Sequence, residues 1–306
     1  MKIAIIGQAA FGKDVLNKLV GNGEAVTAVI CPPDISNSYD PIKQAALEHE
    51  IPVYQFKRMR DRSAIHKFIS LRIDLCVMAF VTDIIPMEIL AAPTFGTIQY
   101  HPSLLPNHRG PSSINWPIIK GERETGLSIF WPDEGLDTGP ILLQKEVEIS
   151  PVDTLGSVYF GKLFPLGVDA MLEAVRLVKE EKAPKIDQHR SEGSYEGWCG
   201  AEEARIDWSQ PASDIYNLIR GCDPSPGANT TYRGNRISFF NASYTNAQIP
   251  GFENGTVISV NEDHFKVKAE DGCLNIGRVR YSKGSKLSIA DFVEKHGIKK
   301  GSTFPS

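Results

Sequence analysis

The 306-residue sequence has no long apolar run: its opening MKIAIIGQAAFGKD turns polar too early for a signal segment, and no later stretch approaches the length of a membrane span. A soluble protein is expected. It also has little excess charge, 33 Lys and Arg against 37 Asp and Glu, so no global cationic field exists to hold nucleic acid or an anionic membrane. The five cysteines (Cys31, Cys76, Cys199, Cys222, Cys273) are odd in number, widely spread and without CxxC or Cys/His ligand spacing. Neither a disulfide framework nor a zinc site is suggested, and a reducing cytosol fits, giving a cytoplasmic expectation. There is no internal repeat and no low-complexity tract. What is present, 42% hydrophobic and 23% charged residues, suffices for one large core or two smaller ones, and small molecules become the expected ligands.

Short β-rich runs alternate with helical patterns from the first residue: KIAIIG (2–7), a helix near 11–21, AVTAVIC (25–31), a helix near 41–49, then LCVMAF (75–80) and TIQYH (97–101). That alternation predicts an α/β fold with a largely parallel sheet. A helix capped by Ser112 and Ser113 runs to Lys120, after which LSIFW (127–131) pairs with ILLQKEVEI (141–149), giving a mixed edge. Thr154 caps a long helix whose apolar stripe runs from Leu155 to Val178 and reads as core. Residues 184–200 have no period and are rich in Gly, Ser and charge, which reads as a linker. The domain expectation is therefore 1–200, including that linker, and 201–306. The second part carries a short helix at 211–221 and the runs RISFFNASY, GTVISV, HFKVKA and LNIGRVRY, which predict a small β-barrel or sandwich. Its charge is nearly balanced, 13 Lys and Arg against 12 Asp and Glu, a poor footprint for nucleic acid.

Several motifs compete for chemistry. GQAAFGKD (7–14) satisfies G-x-x-x-x-G-K, but Asp14 stands where a phosphate loop needs Ser or Thr. It reads as a strand-to-helix turn whose glycines let the chain reverse, at the rim of a pocket. His101 ends an apolar strand at the sheet's carboxyl edge, where ligands of α/β folds sit, and is either a packing histidine or a working acid/base. Asp133, Glu134 and Asp137 lie in the glycine-flanked WPDEGLDTGPILL (131–143), either a solvated hairpin or a carboxylate source for a cleft. His108, seven residues beyond His101, finds no third ligand for a metal and reads as a surface residue. No G-x-S-x-G elbow accompanies the serines, and Trp116, Trp131 and Trp208 are not interleaved with a basic stripe.

HPSLLPNHRG (101–110) followed by GLDTG (135–139) resembles the signature of the formyltransferase fold that uses 10-formyltetrahydrofolate. The resemblance extends through MKIAIIGQ, IPMEIL (85–90), HRGPSSINW (108–116), IFWPDEGLDTGPILLQKE (129–146) and RIDWSQPASDIYNLIRG (205–221), strongest toward the hydrolase domain of 10-formyltetrahydrofolate dehydrogenases. It implies a Rossmann-like formyltransferase domain followed by a small OB-like β-barrel, and catalytic roles at His101 and Asp137. The asparagine of the family's Asn-x-His falls on Gln99, whose amide sits one methylene further out. The pterin is expected against Phe80, Val81, Thr82, Asp83 and Ile84 and against Asp133, Glu134, Gly135 and Leu136. No metal is implied. A longer parent protein would add carrier and aldehyde dehydrogenase domains.

Formyl release needs attack on an amide-like carbonyl: negative charge grows on oxygen, the nucleophile sheds a proton and the leaving nitrogen gains one. A histidine donor suits the first demand and a carboxylate in reach of the nucleophile the others. The expected function is hydrolysis of 10-formyltetrahydrofolate to tetrahydrofolate and formate. The alternatives are an N-formyltransferase acting on an amino sugar, an amino acid or methionyl-tRNA, and a folate-binding module without turnover.

Overall fold

The computed structural model describes residues 1–35, 38–189, 191–247 and 249–305. The chain clusters into two compact units: Met1–Gly110, Gly126–Val147 and Phe160–Tyr195 form the first, and Pro111–Thr125, Glu148–Tyr159 and the chain from Glu196 onward the second. This differs from a simple cut at residue 200. The segments at 111–125 and 148–159 are bonded to later chain: the Asn115 amide donates to the Gly221 carbonyl at 2.9 Å, and the Tyr216 hydroxyl to the Pro151 carbonyl at 3.0 Å.

In the first unit, β1 (Lys2–Gly7), α1 (Ala9–Gly21), β2 (Ala25–Cys31), α2 (Pro41–Glu48), β3 (Val53–Gln55), α3 (Arg62–Ser70), β4 (Leu75–Ala79), α4 (Met87–Leu90) and β5 (Thr97–His101) follow one another. After α5 (Asn115–Ile119) come β6 (Glu124–Phe130) and β7 (Ile141–Glu148), and the sheet order is β3-β2-β1-β4-β5-β6-β7. β1 pairs in parallel with β2 and β4, as do β2 with β3 and β4 with β5, whereas β5 and β6 are antiparallel. The result is the Rossmann-like, largely parallel sheet expected. β4 is buried at every position and β1 at all but Lys2, which is why both read as unbroken apolar runs. On one face Ala4, Ile6, Cys76 and Met78 pack with Phe68 and Ile89, from α3 and α4.

The long helix expected after Thr154 runs without a gap to Lys179, but its hydrogen-bond ladder changes on the way. Thr154 caps α6 (Leu155–Val158), a π-helical turn follows at Tyr159–Leu163, and α7 (Phe164–Lys179) continues from it with Pro165 near its start. On the second face of the sheet Phe11 of α1 meets Tyr100 of β5 and Phe164 of α7, with ring centroids 4.3 and 5.4 Å apart.

Gly7 and Gly12 do not reverse the chain through left-handed backbone; in that turn Ala9 carries the positive φ, 58°. Gly7 is needed because a Cβ there would stand 2.6 Å from the Ala79 carbonyl oxygen, where β1 closes on β4. The helix expected from Ser112 starts at Asn115 instead, and the Ser112 hydroxyl accepts from the Cys199 N–H rather than capping.

The second unit holds α8 (Ala212–Gly221), β8 (Ala228–Tyr232), β9 (Asn235–Thr245), β10 (Val257–Val260), β11 (Phe265–Lys268), β12 (Cys273–Tyr281), β13 (Lys286–Ser288) and α9 (Ile289–His296). Its strands form an antiparallel sheet in the order β10-β11-β12-β9-β8, with β13 on β12, the small β-rich architecture expected. The core is aromatic: Phe304 stacks on Trp208 at 5.9 Å and meets Phe239 edge-on at 5.3 Å. Among the described residues no helix is long and apolar enough to cross a membrane.

Candidate active site

Strand periodicity sets which side chains share a face. In β5, Tyr100 points to α1 and α7, so Gln99 and His101, two residues apart, lie together on the opposite face. His101 is the last residue of the strand, paired across to Ser128 of β6. It is 5% exposed, and Asp137, in the loop between β6 and β7, is 7% exposed. Sequence-distant by 36 positions, the two side chains meet with His101 Nδ1 at 3.6 Å from Asp137 Oδ2. The imidazole Nε2 lies 2.9 Å from the His108 carbonyl oxygen. A carbonyl only accepts, so Nε2 carries the hydrogen of that bond and the Nδ1 edge is the one turned to the carboxylate.

Asp137 has an unusual backbone conformation held by two partners. Its backbone is left-handed, φ 57°, a conformation that Asp and Asn tolerate better than most residues. The Gly110 N–H donates to Oδ2 at 2.9 Å. Gln188 Nε2 donates to the carbonyls of Asp137 and Gly139, at 3.0 and 2.6 Å. Gly139 in turn lies against β6's end, where a Cβ would be 1.8 Å from the Trp131 carbonyl oxygen. The loop is therefore not the solvated hairpin that its charge alone permits.

His108, expected at the surface, is 5% exposed. Its backbone, at φ 55°, is built into the site: the carbonyl receives His101, and the N–H donates to Ser194 Oγ at 3.0 Å. A polar residue in a Pro- and Gly-rich stretch reads as exposed when the partner lies 86 residues away. The supposed linker contributes likewise. Ile186 exchanges backbone hydrogen bonds with Ile141, Gln188 holds the Asp137 loop, and Ser194 accepts from Arg109 as well as His108, so these three residues are hydrogen-bonded into the first unit. Neither Gln188 nor Ser194 carries a signal in the sequence, because each acts through backbone groups of remote loops.

Gln188→Leu leaves two carbonyls without their donor while also removing the side-chain oxygen Oε1, which is buried and has no hydrogen-bond partner among the described residues. The expected net loss is about 1 to 2 kcal/mol, read as a lower urea midpoint at unchanged slope.

The remaining expected ligand-binding residues fall into two loops of the same unit. Phe80, in left-handed backbone at φ 60°, and Ile84 are exposed, as is Leu136 of the second loop. Asp83 is committed to its own surroundings, accepting from Met59 N at 2.6 Å and Ile84 N at 2.9 Å. Asp133 closes the β6–β7 loop, accepting from Gly135 N at 2.9 Å and Thr138 Oγ1 at 2.6 Å, while Glu134 and Gly135 face solvent. Val81 and Thr82, with Gly7, Gln8, Cys31 and Met59, line a cavity of about 250 Å³ at the carboxyl ends of β1, β2 and β4, so the Gly7 turn does form a pocket rim. Burial, with Asp40 the next cause, pushes the Cys31 thiol up to about 12, so this pocket offers no thiolate near neutral pH.

A doubly wound α/β unit with a buried imidazole and carboxylate at its carboxyl edge, joined in one chain to an antiparallel β unit, defines the class. The chain belongs to the formyl transferase family: the formyl transferase model matches residues 1–175 and its C-terminal domain model residues 200–297. Human cytosolic 10-formyltetrahydrofolate dehydrogenase is 39% identical across 96% of the chain and 35% of its own length, so the chain spans about a third of that relative. Methionyl-tRNA formyltransferase of Syntrophus aciditrophicus is 35% identical over 98% of both chains. Among solved structures, HypX from Aquifex aeolicus in complex with tetrahydrofolic acid superimposes with a TM-score of 0.70 at 21% identity, covering 98% of this chain and 48% of its own.

Proposed function

We propose that this chain releases formate from 10-formyltetrahydrofolate by hydrolysis, with His101 and Asp137 as the catalytic pair. The observation that carries the reading is their meeting at 3.6 Å in a buried site on the sheet's carboxyl edge, within a family whose relatives are named for this folate. The folate supplies the formyl group on a nitrogen that departs as a neutral amine once protonated. Asp137 takes the proton of the attacking water and returns one to that nitrogen; its burial beside an imidazole keeps bulk water from competing for the exchange. His101, anchored at Nε2 by the His108 carbonyl, presents its Nδ1 edge, and an N–H there donates to the oxygen where negative charge grows. Gln99 lies on the same face of β5 and its amide is a second donor to that oxygen. Phe80, Ile84 and Leu136 supply the exposed apolar area a flat bicyclic ring needs, with backbone groups of Val81–Ile84 and Asp133–Gly135 for its polar edge. A cytosolic setting is supported by the five unpaired cysteines.

The competing reading, transfer to an amine, is favoured by the 35% identity with a methionyl-tRNA formyltransferase over nearly full length. Against a tRNA acceptor stands the near-balanced charge after residue 200. Incubation with 10-formyltetrahydrofolate alone separates them. Formate and tetrahydrofolate appearing catalytically without acceptor supports hydrolysis; turnover that begins only when an amine is added replaces it with transfer.

A further inference from the structure

Two cysteines that the reaction does not use lie against each other in the second unit. Cys199 Sγ and Cys222 Sγ are 3.7 Å apart, in contact across 23 positions of sequence. Cys222 follows the last turn of α8 and is 0% exposed, whereas Cys199, at 8%, is the less enclosed of the two. Cys199 sits in a short stretch tied to α5 and its approach: its N–H donates to Ser112 Oγ at 2.9 Å, Trp116 Nε1 donates to the Gly197 carbonyl at 3.0 Å, and Lys120 pairs with Glu196. No other pair of the five thiols is in contact among the described residues. Nor does any third His, Cys, Asp or Glu join these two in a metal-ligating group among those residues.

We propose that Cys199 and Cys222 form a reversible oxidation site for small peroxides, closing to a disulfide that pins the Gly197–Gly200 segment to the end of α8. The Cys199 sulfur, as thiolate, attacks one peroxide oxygen; an S–O bond forms, the O–O bond breaks, and the departing hydroxide takes a proton to become water. Cys222 sulfur then attacks Cys199 sulfur, the S–S bond forms, the S–O bond breaks, and the Cys222 proton leaves with the hydroxyl as a second water. Two thiols are oxidised by two electrons and one hydrogen peroxide is reduced to two waters. Closure shortens the sulfur contact from 3.7 Å to the disulfide distance of about 2.05 Å.

The order of attack follows from access and from charge. The hydrogen bond from Cys222 lowers the Cys199 thiol below its ordinary value, and the same bond, reinforced by burial, raises Cys222. Cys31 and Cys76 are both pushed up to about 12, chiefly by burial, and Cys273 is also raised by burial. These three act as internal controls in the same molecule.

The test treats the fully reduced full-length protein with hydrogen peroxide, blocks remaining thiols under denaturing conditions and maps the peptides without reduction. The expected result is loss of two thiols per chain, a single intramolecular crosslink joining Cys199 to Cys222, its reversal by dithiothreitol, and a Tm raised by about 5 °C in the crosslinked form. In Cys222→Ser the crosslink disappears and Cys199 is trapped by dimedone as the sulfenic acid. Five thiols surviving peroxide that oxidises a free cysteine peptide overturn the proposal, as does a crosslink through Cys31, Cys76 or Cys273. The wild-type map decides the matter even where the serine variant fails to fold.

Discussion

Asp137→Asn is expected to lower kcat for acceptor-free formate release by about 1,000-fold while leaving folate affinity and Tm nearly unchanged. The substitution isolates the proton-transfer role because the structure tolerates it. Asn suits left-handed backbone about as well as Asp, and its amide oxygen still accepts the Gly110 N–H that Oδ2 accepts now. Gln188 holds Asp137 through a main-chain carbonyl, so that contact is indifferent to the change. What disappears is the charge and the ability to take a proton from water. Asp137→Ala would be less informative, since it also loses the Gly110 bond and the left-handed tolerance. Turnover of Asp137→Asn within a few-fold of the parent would remove the carboxylate from the mechanism.

His101→Ala should lower kcat by about 100- to 1,000-fold, the usual effect of losing one donor to a developing oxyanion, with KM changed less than about threefold. This variant carries a structural penalty that Asp137→Asn does not. It leaves the buried His108 carbonyl without its donor, for about 1 to 3 kcal/mol of stability, so activity is to be read at a temperature well below its Tm. His101→Gln offers an amide N–H to the same carbonyl and serves as the stability control: recovered Tm with unrecovered kcat is the expected pattern. A rise in KM that accounts for most of the loss would make His101 a positioning residue for the folate rather than a donor to the reacting oxygen.

Much of the α/β scaffold is legible in the residues. β1, β2 and β4 are read nearly to the residue because central parallel strands bury both faces, and burial on both faces leaves an apolar run bounded by polar turns. β3, with three half-buried residues, and α3, with charge spread along RSAIHKFIS, escape the same reading because neither carries an unambiguous period. The long helix after Thr154 shows the limit from the other side. Its apolar stripe continues through Tyr159–Leu163, but a stripe records which face is buried and not which hydrogen-bond ladder connects the turns.

The residues by themselves determined the two chemically distinct parts of the chain, the strand that ends on His101, and the pairing of the HPSLLP and LDTG motifs through family resemblance. They did so because periodicity and motif spacing are local quantities written along the chain. Only the tertiary structure decided that His108 turns inward to anchor an imidazole, that Gln188 of an apparent linker holds the Asp137 loop, and that Cys199 touches Cys222. Each of those contacts forms only when the chain has folded, and in the first two the partner is a main-chain carbonyl. Every residue type carries that group alike, so no pattern of side chains announces which carbonyl will be used.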